Sequence, residues 1–141
     1  MRSVIYISRS RIEELDRTRV LDDLQAELTA RSSTLDITGL LVATPDFFVE
    51  RLDGPAKNVD AVMASILADQ RYHDVRIVHQ EDIIVSRFKN WRMLRLGGDS
   101  AGTSGIADVI ATAHERGDPL AVRRLERLID VLADGHAGAK V

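Results

Sequence analysis

One carboxylate stands out among the residues whose type and position could do chemistry. Residues 47–53 read as a strand, and Glu50 lies at its centre. Side chains alternate between the two faces of a strand, so Glu50 shares a face with Phe48 and Leu52. An ionised carboxylate is costly to bury unless it is paired or hydrogen-bonded. Glu50 therefore marks either a site or a strand that faces water, and the apolar residues on the opposite face leave the second interpretation open.

The rest of the sequence gives conventional catalysis little support. The four histidines have no spacing that would place two of them on one helical face as metal ligands. The Gly97-Gly98 pair follows no strand-to-helix phosphate loop, and no nucleophile-elbow pattern is present. The absence of cysteine removes disulfides, thiolate metal sites and cysteine nucleophiles. We expect no enzyme activity and no metal.

The composition is that of a single globular domain. The 141 residues are 45% apolar and 29% charged, with a net charge of −3. Charges of both signs are mixed along the chain, so neither a nucleic-acid face nor a membrane-binding patch is expected. No stretch is apolar enough to cross a bilayer and no signal region is evident, so the expected location is cytoplasmic.

The elements that must position Glu50 follow from hydrophobic periodicity. The expected strands span residues 3–8, 37–43, 47–53, 75–78 with a broken continuation at 83–85, and 91–96. A first helix is expected to begin near Asp16 or Thr18, with an apolar stripe that includes Leu24. The second helix begins at Pro55. Its expected apolar stripe is Val59, Val62, Met63, Ile66 and Leu67.

The order strand, helix, strand, strand, helix, strand, strand predicts an α+β sandwich, with two helices on one face of a mixed sheet. Residues 97–105 read as a Gly- and Ser-rich linker and 106–135 as a pair of C-terminal helices, with a frayed tail at 136–141. The last helix is expected to start at Asp118-Pro119 and to end at Gly135. Layer packing requires this pair, or a second subunit, to cover the other face of the sheet.

Five segments in register over about residues 1–96 resemble BLUF domains, blue-light sensors that use flavin. They are residues 4–8, 36–41, 48–54, 69–73 and 87–93. The resemblance implies a ferredoxin-like sandwich, βαββαββ, with FAD or FMN held between the two helices. It implies signalling through an unknown downstream protein or through a homo-oligomer.

The resemblance also assigns roles residue by residue. Tyr6 matches the tyrosine that donates an electron and a proton to the flavin. Glu50 stands where the family has a glutamine, and Ser32, preceded by Arg31, stands where it has an asparagine. Trp91 and Met93 match a signalling pair on the last strand. The implied cofactor contacts are Tyr6, Leu24, Arg31, Ser32, Phe48, Glu50, Leu52, Ile66, Asp69, Arg71 and Met93.

The two substitutions change the hydrogen bonding that the site can offer. Ionised Glu50 only accepts hydrogen bonds, whereas a protonated Glu50 donates one and accepts another. Burial would raise its pKa and favour the protonated form. Ser32 is shorter than asparagine and lacks the amide pair, which weakens binding, while Arg31 could compensate by reaching a carbonyl or a phosphate of the flavin.

The sequence leaves three functions open. The first is a flavin-binding light sensor in which Glu50 alters the switch. The second is a degenerate interaction module of the same fold, flavin-free or not photoactive. The third and weakest is an unrelated small α+β enzyme acting on phosphate esters, for which no site is found.

Overall fold

The computed structural model describes residues 1–97 and 101–138, with side chains for 1–97 and 105–135. Its strands are β1 (Arg2–Arg9), β2 (Thr38–Ala43), β3 (Phe47–Gly54), β4 (His73–Asp82) and β5 (Trp91–Arg95). Its helices are α1 (Arg17–Leu35), α2 (Ala56–Ala68), α3 (Ala101–Arg116) and α4 (Pro119–Gly138), with a short 3-10 turn at Glu14–Asp16. The predicted α+β order of strands and helices is confirmed.

The five strands form one mixed sheet in the order β4-β1-β3-β2-β5. β1 lies between β4 and β3 and is antiparallel to both, β2 is antiparallel to β3, and β5 runs parallel to β2. The ladders on the two sides of β3 place Glu50 directly opposite Tyr6 on β1 and opposite Leu41 on β2. Alternation then sends all three side chains to the same face.

The helices α1 and α2 cover that face. α1 buries Leu21, Leu24 and Leu28, which recur at helical spacing, and ends at Asp36, whose φ of 58° turns the chain out of the helix. The buried stripe of α2 consists of Val59, Val62, Met63 and Ile66. These residues form one core cluster with Val4, Tyr6, Leu41, Phe48 and Leu52 of the sheet.

The C-terminal helices cover the opposite face, as layer packing predicts. Ile110 of α3 and Leu125 and Ile129 of α4 pack against Ile5 and Ile7 of β1 in a second core cluster. The predicted start of α4 is confirmed, because the Asp118 carboxylate accepts the backbone N–H of Ala121 at 2.8 Å. The cover of both sheet faces is therefore supplied by this one chain.

Four sequence-based expectations about elements are wrong. β4 is continuous to Asp82, where its ladder with β1 ends at Arg2, and residues 83–85 lie outside the strand. The Ile83 N–H still donates to the Met1 carbonyl at 2.9 Å, but Ile84 and Val85 are exposed. Leu67 is 60% exposed and lies outside the buried stripe of α2.

The remaining two corrections concern helix ends. α3 begins at Ala101, so residues 101–105 of the expected linker are helical, and α4 passes through Gly135 to Gly138. A glycine inside a helix costs about 1 kcal/mol, which neighbouring turns can offset. Residues 98–100 of the linker and 139–141 of the expected tail lie outside the described residues.

Candidate functional site

Glu50 is completely buried and accepts two hydrogen bonds. The Tyr6 hydroxyl donates to Oε1 at 2.5 Å, and the Trp91 indole N–H donates to Oε2 at 2.7 Å. The interpretation of Glu50 as a solvated strand residue is therefore wrong. Strand order explains the convergence, because Tyr6 comes from β1 and Trp91 from β5, on opposite sides of the β2–β3 hairpin.

Opposing effects act on Glu50, and their net result is a raised pKa. Burial raises its pKa above the ordinary value, while the nearby charge of Arg31 and the bonds from Tyr6 and Trp91 act in the opposite direction. Burial also holds the pKa of Tyr6 well above its ordinary range, and the proximity of Glu50 adds to that effect. Both groups therefore keep their protons more firmly than they would in water.

A cavity of about 220 Å³ opens between α1 and α2 on this side of the sheet. Leu28 and Ile66 supply apolar wall, and Arg31, Asp69 and Tyr72 supply polar groups. At its rim the Arg71 guanidinium donates to the Asp69 carboxylate at 2.7 Å and to Glu27 at 2.5 Å. The Arg71 hydrogen bond is the main reason that the pKa of Asp69 is lowered.

A second cavity of about 340 Å³ lies at the C-terminal end of α1. Its lining includes Ser32, Asp36, Thr38, Asn90 and Trp91. Trp91 thus contacts Glu50 through its indole N–H and also lines this cavity. Arg31 and Ser32, adjacent in α1, place the two cavities next to each other.

Three side chains around the cavities have buried polar atoms without a partner. Within residues 1–97 and 105–135, no hydrogen-bond partner is found for Arg31 Nε and Nη2, the Ser32 hydroxyl or the Tyr72 hydroxyl. Buried polar groups are nearly always satisfied, and leaving one unpaired costs about 1–3 kcal/mol. These atoms fit a ligand that carries several hydrogen-bond acceptors on a flat apolar body, as a flavin ring does.

The sequence of residues 1–94 matches the family of BLUF proteins, described as sensors of blue-light using FAD. The chain belongs to the BLUF family. The BLUF domain is a sensor module and not a catalytic one, which agrees with the expectation of no enzyme activity. A search of curated protein sequences found no match.

Solved structures of similar fold include BLUF proteins and a light-regulated cyclase. The dark state of the BLUF protein BlrB has a TM-score of 0.59 and 24% identity, covering 81% of this chain and 95% of that one. A bacterial light-regulated adenylyl cyclase has a TM-score of 0.64 and 22% identity, covering 90% of this chain and 36% of the cyclase.

Klebsiella pneumoniae BlrP1 with FMN and cyclic diGMP has a TM-score of 0.64 and 24% identity, covering 95% of this chain and 35% of BlrP1. The chain therefore spans about a third of the cyclase and of BlrP1 but nearly all of BlrB. At these identities the likeness shows the fold alone, and it confirms the ferredoxin-like sandwich.

The BLUF fold brings most of the sequence-predicted site residues to one layer. The apolar ones, with Tyr6, belong to the core cluster under α1 and α2: Tyr6, Leu24, Phe48, Leu52, Ile66, Trp91 and Met93. Ser32 is buried beside them, while Arg31, Asp69 and Arg71 line the smaller cavity. None of them lies in the core cluster on the opposite face, under α3 and α4.

Sequence reasoning missed Tyr72 as a site residue. Its ring lies edge-on to Tyr6 with 6.1 Å between centroids and tilted to Phe48 at 5.4 Å, and it lines the smaller cavity. Burial raises the pKa of its hydroxyl above the ordinary value, and the nearby Glu50 adds to that effect. The available signal was an aromatic residue directly after the matched Arg71, at the end of the second helix.

Among the described residues, no helix is long and apolar enough to cross a membrane. The same residues contain no cluster of three or more histidine and acidic side chains that could hold a metal ion.

Proposed function

We propose that this BLUF chain binds flavin between α1 and α2 and acts as a blue-light sensor in which Glu50 replaces the amide of the family's usual glutamine. The observation that carries the proposal is the buried Tyr6–Glu50–Trp91 network beside cavities lined with unpartnered polar atoms. When bound, flavin supplies the absorption of blue light and the acceptor for an electron and a proton.

The residues that would hold the flavin divide into apolar and polar groups. Leu24, Leu28 and Ile66 offer an apolar wall for a ring system. Arg31, Ser32 and Tyr72 offer donors for its polar edge, since each has a buried atom without a partner within the described side chains. Because these contacts concern the ring, they suit FAD and FMN equally, and either flavin fits the proposal.

Tyr6 and Glu50 would move the proton. A phenol that loses an electron becomes a strong acid, and Glu50 Oε1 lies 2.5 Å from the Tyr6 hydroxyl. A protonated Glu50 would take the proton of an oxidised Tyr6 at Oε1 only as its other oxygen released one toward the flavin, so that Glu50 stays neutral throughout. A protonated Glu50 donates one hydrogen bond and accepts another, which imitates part of what an amide does.

Trp91 offers a route from this chemistry to the outside of the domain. Its indole N–H donates to Glu50 Oε2. A change in the protonation or orientation of Glu50 therefore changes the hydrogen bond that links β5 to β3. The loop before β5 pairs with α4, because Arg87 contacts Asp130 at 3.2 Å and Asp134 at 2.7 Å. We propose that the signal leaves through β5 and α4 to a separate partner protein or to a second copy of the chain.

The alternative function is a flavin-free interaction module of the same fold. It is favoured by the fact that both oxygens of Glu50 are already satisfied by protein donors.

To decide between the two functions, the purified protein is incubated with FAD or FMN, passed through a desalting column and examined by visible absorption. Retained flavin with resolved vibronic structure supports the sensor, whereas a colourless protein supports the interaction module. Arg31→Ala, which removes two unpartnered donors, is expected to retain less flavin than Arg19→Ala on the exposed face of α1.

A further inference from the structure

Glu50 lies behind the two cavities, because Trp91, which donates to it, lines one of them, and Tyr72, which packs on Tyr6, lines the other. The carboxylate is completely buried, and its two oxygens act only as acceptors toward Tyr6 and Trp91. The polar edge of a flavin ring presents mainly carbonyl oxygens and ring nitrogens, which are also acceptors. An ionised carboxylate facing such acceptors repels them and offers no proton to share.

The groups that face Glu50 come from four parts of the fold. Tyr6 faces it from β1, Trp91 from β5, Arg31 from α1, and Tyr72 from the turn after α2. Among them Arg31 is the cation, and two of its nitrogens are buried without a partner in the described part of the chain. Arg31 is therefore the charge that supports the ionised form of Glu50, against the burial that opposes it.

We propose that flavin binding by this chain is coupled to the uptake of one proton by Glu50, and that Arg31 is the positioning residue that sets the pH range of this uptake. The inference rests on the proposed flavin binding. A ligand that fills the cavity beside Arg31 and Tyr72 removes that space from solvent and occupies the N–H groups of Arg31. Both changes disfavour the ionised carboxylate of Glu50. The proton comes from solvent and stays on one Glu50 oxygen, which then becomes a donor.

The sign of the pH dependence follows from linkage. If the complex holds a proton that the free protein has released, flavin affinity falls as pH rises, by at most about tenfold per pH unit for one proton. The fall begins at the pKa of Glu50 in the free protein and ends at its pKa in the complex. Glu50→Gln has no proton to gain at this position, so its affinity should not depend on pH through this group.

Isothermal titration calorimetry with FAD measures the uptake directly. Titrations in buffers of different ionisation enthalpy give the protons taken up per flavin, without any requirement for photoactivity. FAD is the probe because its pyrophosphate does not titrate near neutral pH, unlike the phosphate monoester of FMN, whose second pKa is about 6. We expect an uptake that approaches one proton per flavin in the unaltered protein and zero in Glu50→Gln.

Arg31→Gln separates the role of the counter-charge from a merely structural one. Loss of the cation raises the pKa of Glu50 in the free protein, so the range of proton uptake should move to higher pH while one proton remains the maximum. An unshifted range in this variant would overturn the role of Arg31.

Two outcomes would overturn the coupling itself. Equal proton uptake in the unaltered protein and in Glu50→Gln at every pH would show that Glu50 gains no proton. Failure of both proteins to bind FAD at any pH would overturn the proposed flavin binding and the coupling with it.

Should Glu50→Gln not fold, infrared spectra of protein carrying isotope-labelled glutamate provide the same test. FAD must then produce a carboxylic-acid band that shifts in heavy water, and its absence contradicts the inference.

Discussion

At Glu50, two donors are satisfied at once because a carboxylate has an oxygen for each of them. Tyr6 uses Oε1 and Trp91 uses Oε2. A glutamine has one acceptor oxygen, so it cannot accept from both side chains in this arrangement. The substitution of glutamate for glutamine thus does more than add a charge, since it ties β1 and β5 to β3 through one side chain.

The burial of Glu50 predicts how stability depends on pH. Because its pKa is raised in the folded protein, the unfolded chain releases this proton first, near its ordinary pKa of about 4.3. The Glu50 contribution to stability is therefore complete below that pH and is lost as pH rises through the raised pKa. Asp69 has the opposite sign, because its pKa is lowered and its contribution is lost in acid.

Glu50→Gln should isolate the pH-dependent contribution of Glu50 to stability. The free energy of unfolding of the variant minus that of the unaltered protein should grow as pH rises above about 4.3, by about 1.4 kcal/mol for each unit by which the pKa is raised. Asp69 is present in both proteins and cancels. Urea unfolding at a series of pH values measures this difference in the free energy of unfolding. A difference that does not change with pH would contradict a raised pKa of Glu50 in the folded protein.

Ser32 provides a test of the flavin pocket that leaves Glu50 intact. Its hydroxyl is buried beside the cavity at the end of α1 and has no partner in the described part of the chain. Ser32→Asn adds a longer side chain with an amide, so we expect tighter flavin binding, by about 1 kcal/mol or fivefold in Kd.

The matched control is Ser33→Asn. Ser33 lines the same cavity one residue further along α1, but it is exposed and its hydroxyl is not among the buried atoms without a partner, so its substitution should change affinity less than Ser32→Asn does. Fluorescence quenching of FAD gives both dissociation constants. Equal effects of the two substitutions would show that Ser32 does not face the flavin.

At the scale of elements, the β2–β3 hairpin holds the site in register. A Cβ atom added at Gly39 would lie 2.0 Å from the backbone oxygen of Arg51, which is too close for any side chain. Gly39→Ala should therefore force the strands apart and cost about 3 kcal/mol or more. The movement would displace Trp91, which is paired with Gly39 across the parallel β2–β5 ladder.

Gly105→Ala is the control for this substitution. Gly105 lies in α3 with nothing within 4 Å of an added Cβ, and alanine favours a helix over glycine by about 1 kcal/mol. Chemical denaturation should place Gly39→Ala well below the unaltered protein and Gly105→Ala at or above it. A Gly39→Ala variant with the stability of the unaltered protein would show that β2 and β3 have room for a side chain at this position.

Element order and the two faces of β1 could be predicted from the sequence because both depend on local periodicity. Val4 and Tyr6 do lie on one face and Ile5 and Ile7 on the other. The end of β4 could not be predicted, since it depends on where its partner β1 runs out.

In the candidate site, too, the features that depend on local periodicity could be predicted, and those that depend on long-range pairing could not. The alternation of β3 placed Glu50 with Phe48 and Leu52, and the family resemblance placed Tyr6 near it. The bond from Trp91 and the position of Tyr72 required the long-range register of the sheet and the path of the chain after α2, which periodicity does not contain.

At the scale of the whole molecule, the sheet separates two cores. The layer with α1 and α2 contains the candidate site, and the layer with α3 and α4 contains none of its residues. The sheet lies between the two layers, and Arg87 and Arg92 of the β4–β5 region contact α4. Changes in the second layer should therefore affect stability before they affect the site.

Leu125→Ala tests this separation. Leu125 is completely buried in the second core, so the cavity should cost about 2–5 kcal/mol. Hydrogen exchange should accelerate in α3 and α4 before it does in β1 and β3. Leu120→Ala, at a position that is 59% exposed on the same helix, should change stability by less than about 0.5 kcal/mol. Uniform acceleration throughout the chain in Leu125→Ala would show that the two layers unfold as one unit.

The most direct test of the central claim is the visible absorption spectrum of the FAD-loaded protein before and after blue light, recorded alongside Tyr6→Phe. If Glu50 stands in for the amide and Tyr6 is the donor, the flavin bands of the unaltered protein shift to longer wavelength in the light. They should return in the dark, and Tyr6→Phe should bind flavin without the shift. Flavin that stays bound to the unaltered protein with no shift after illumination would contradict the account.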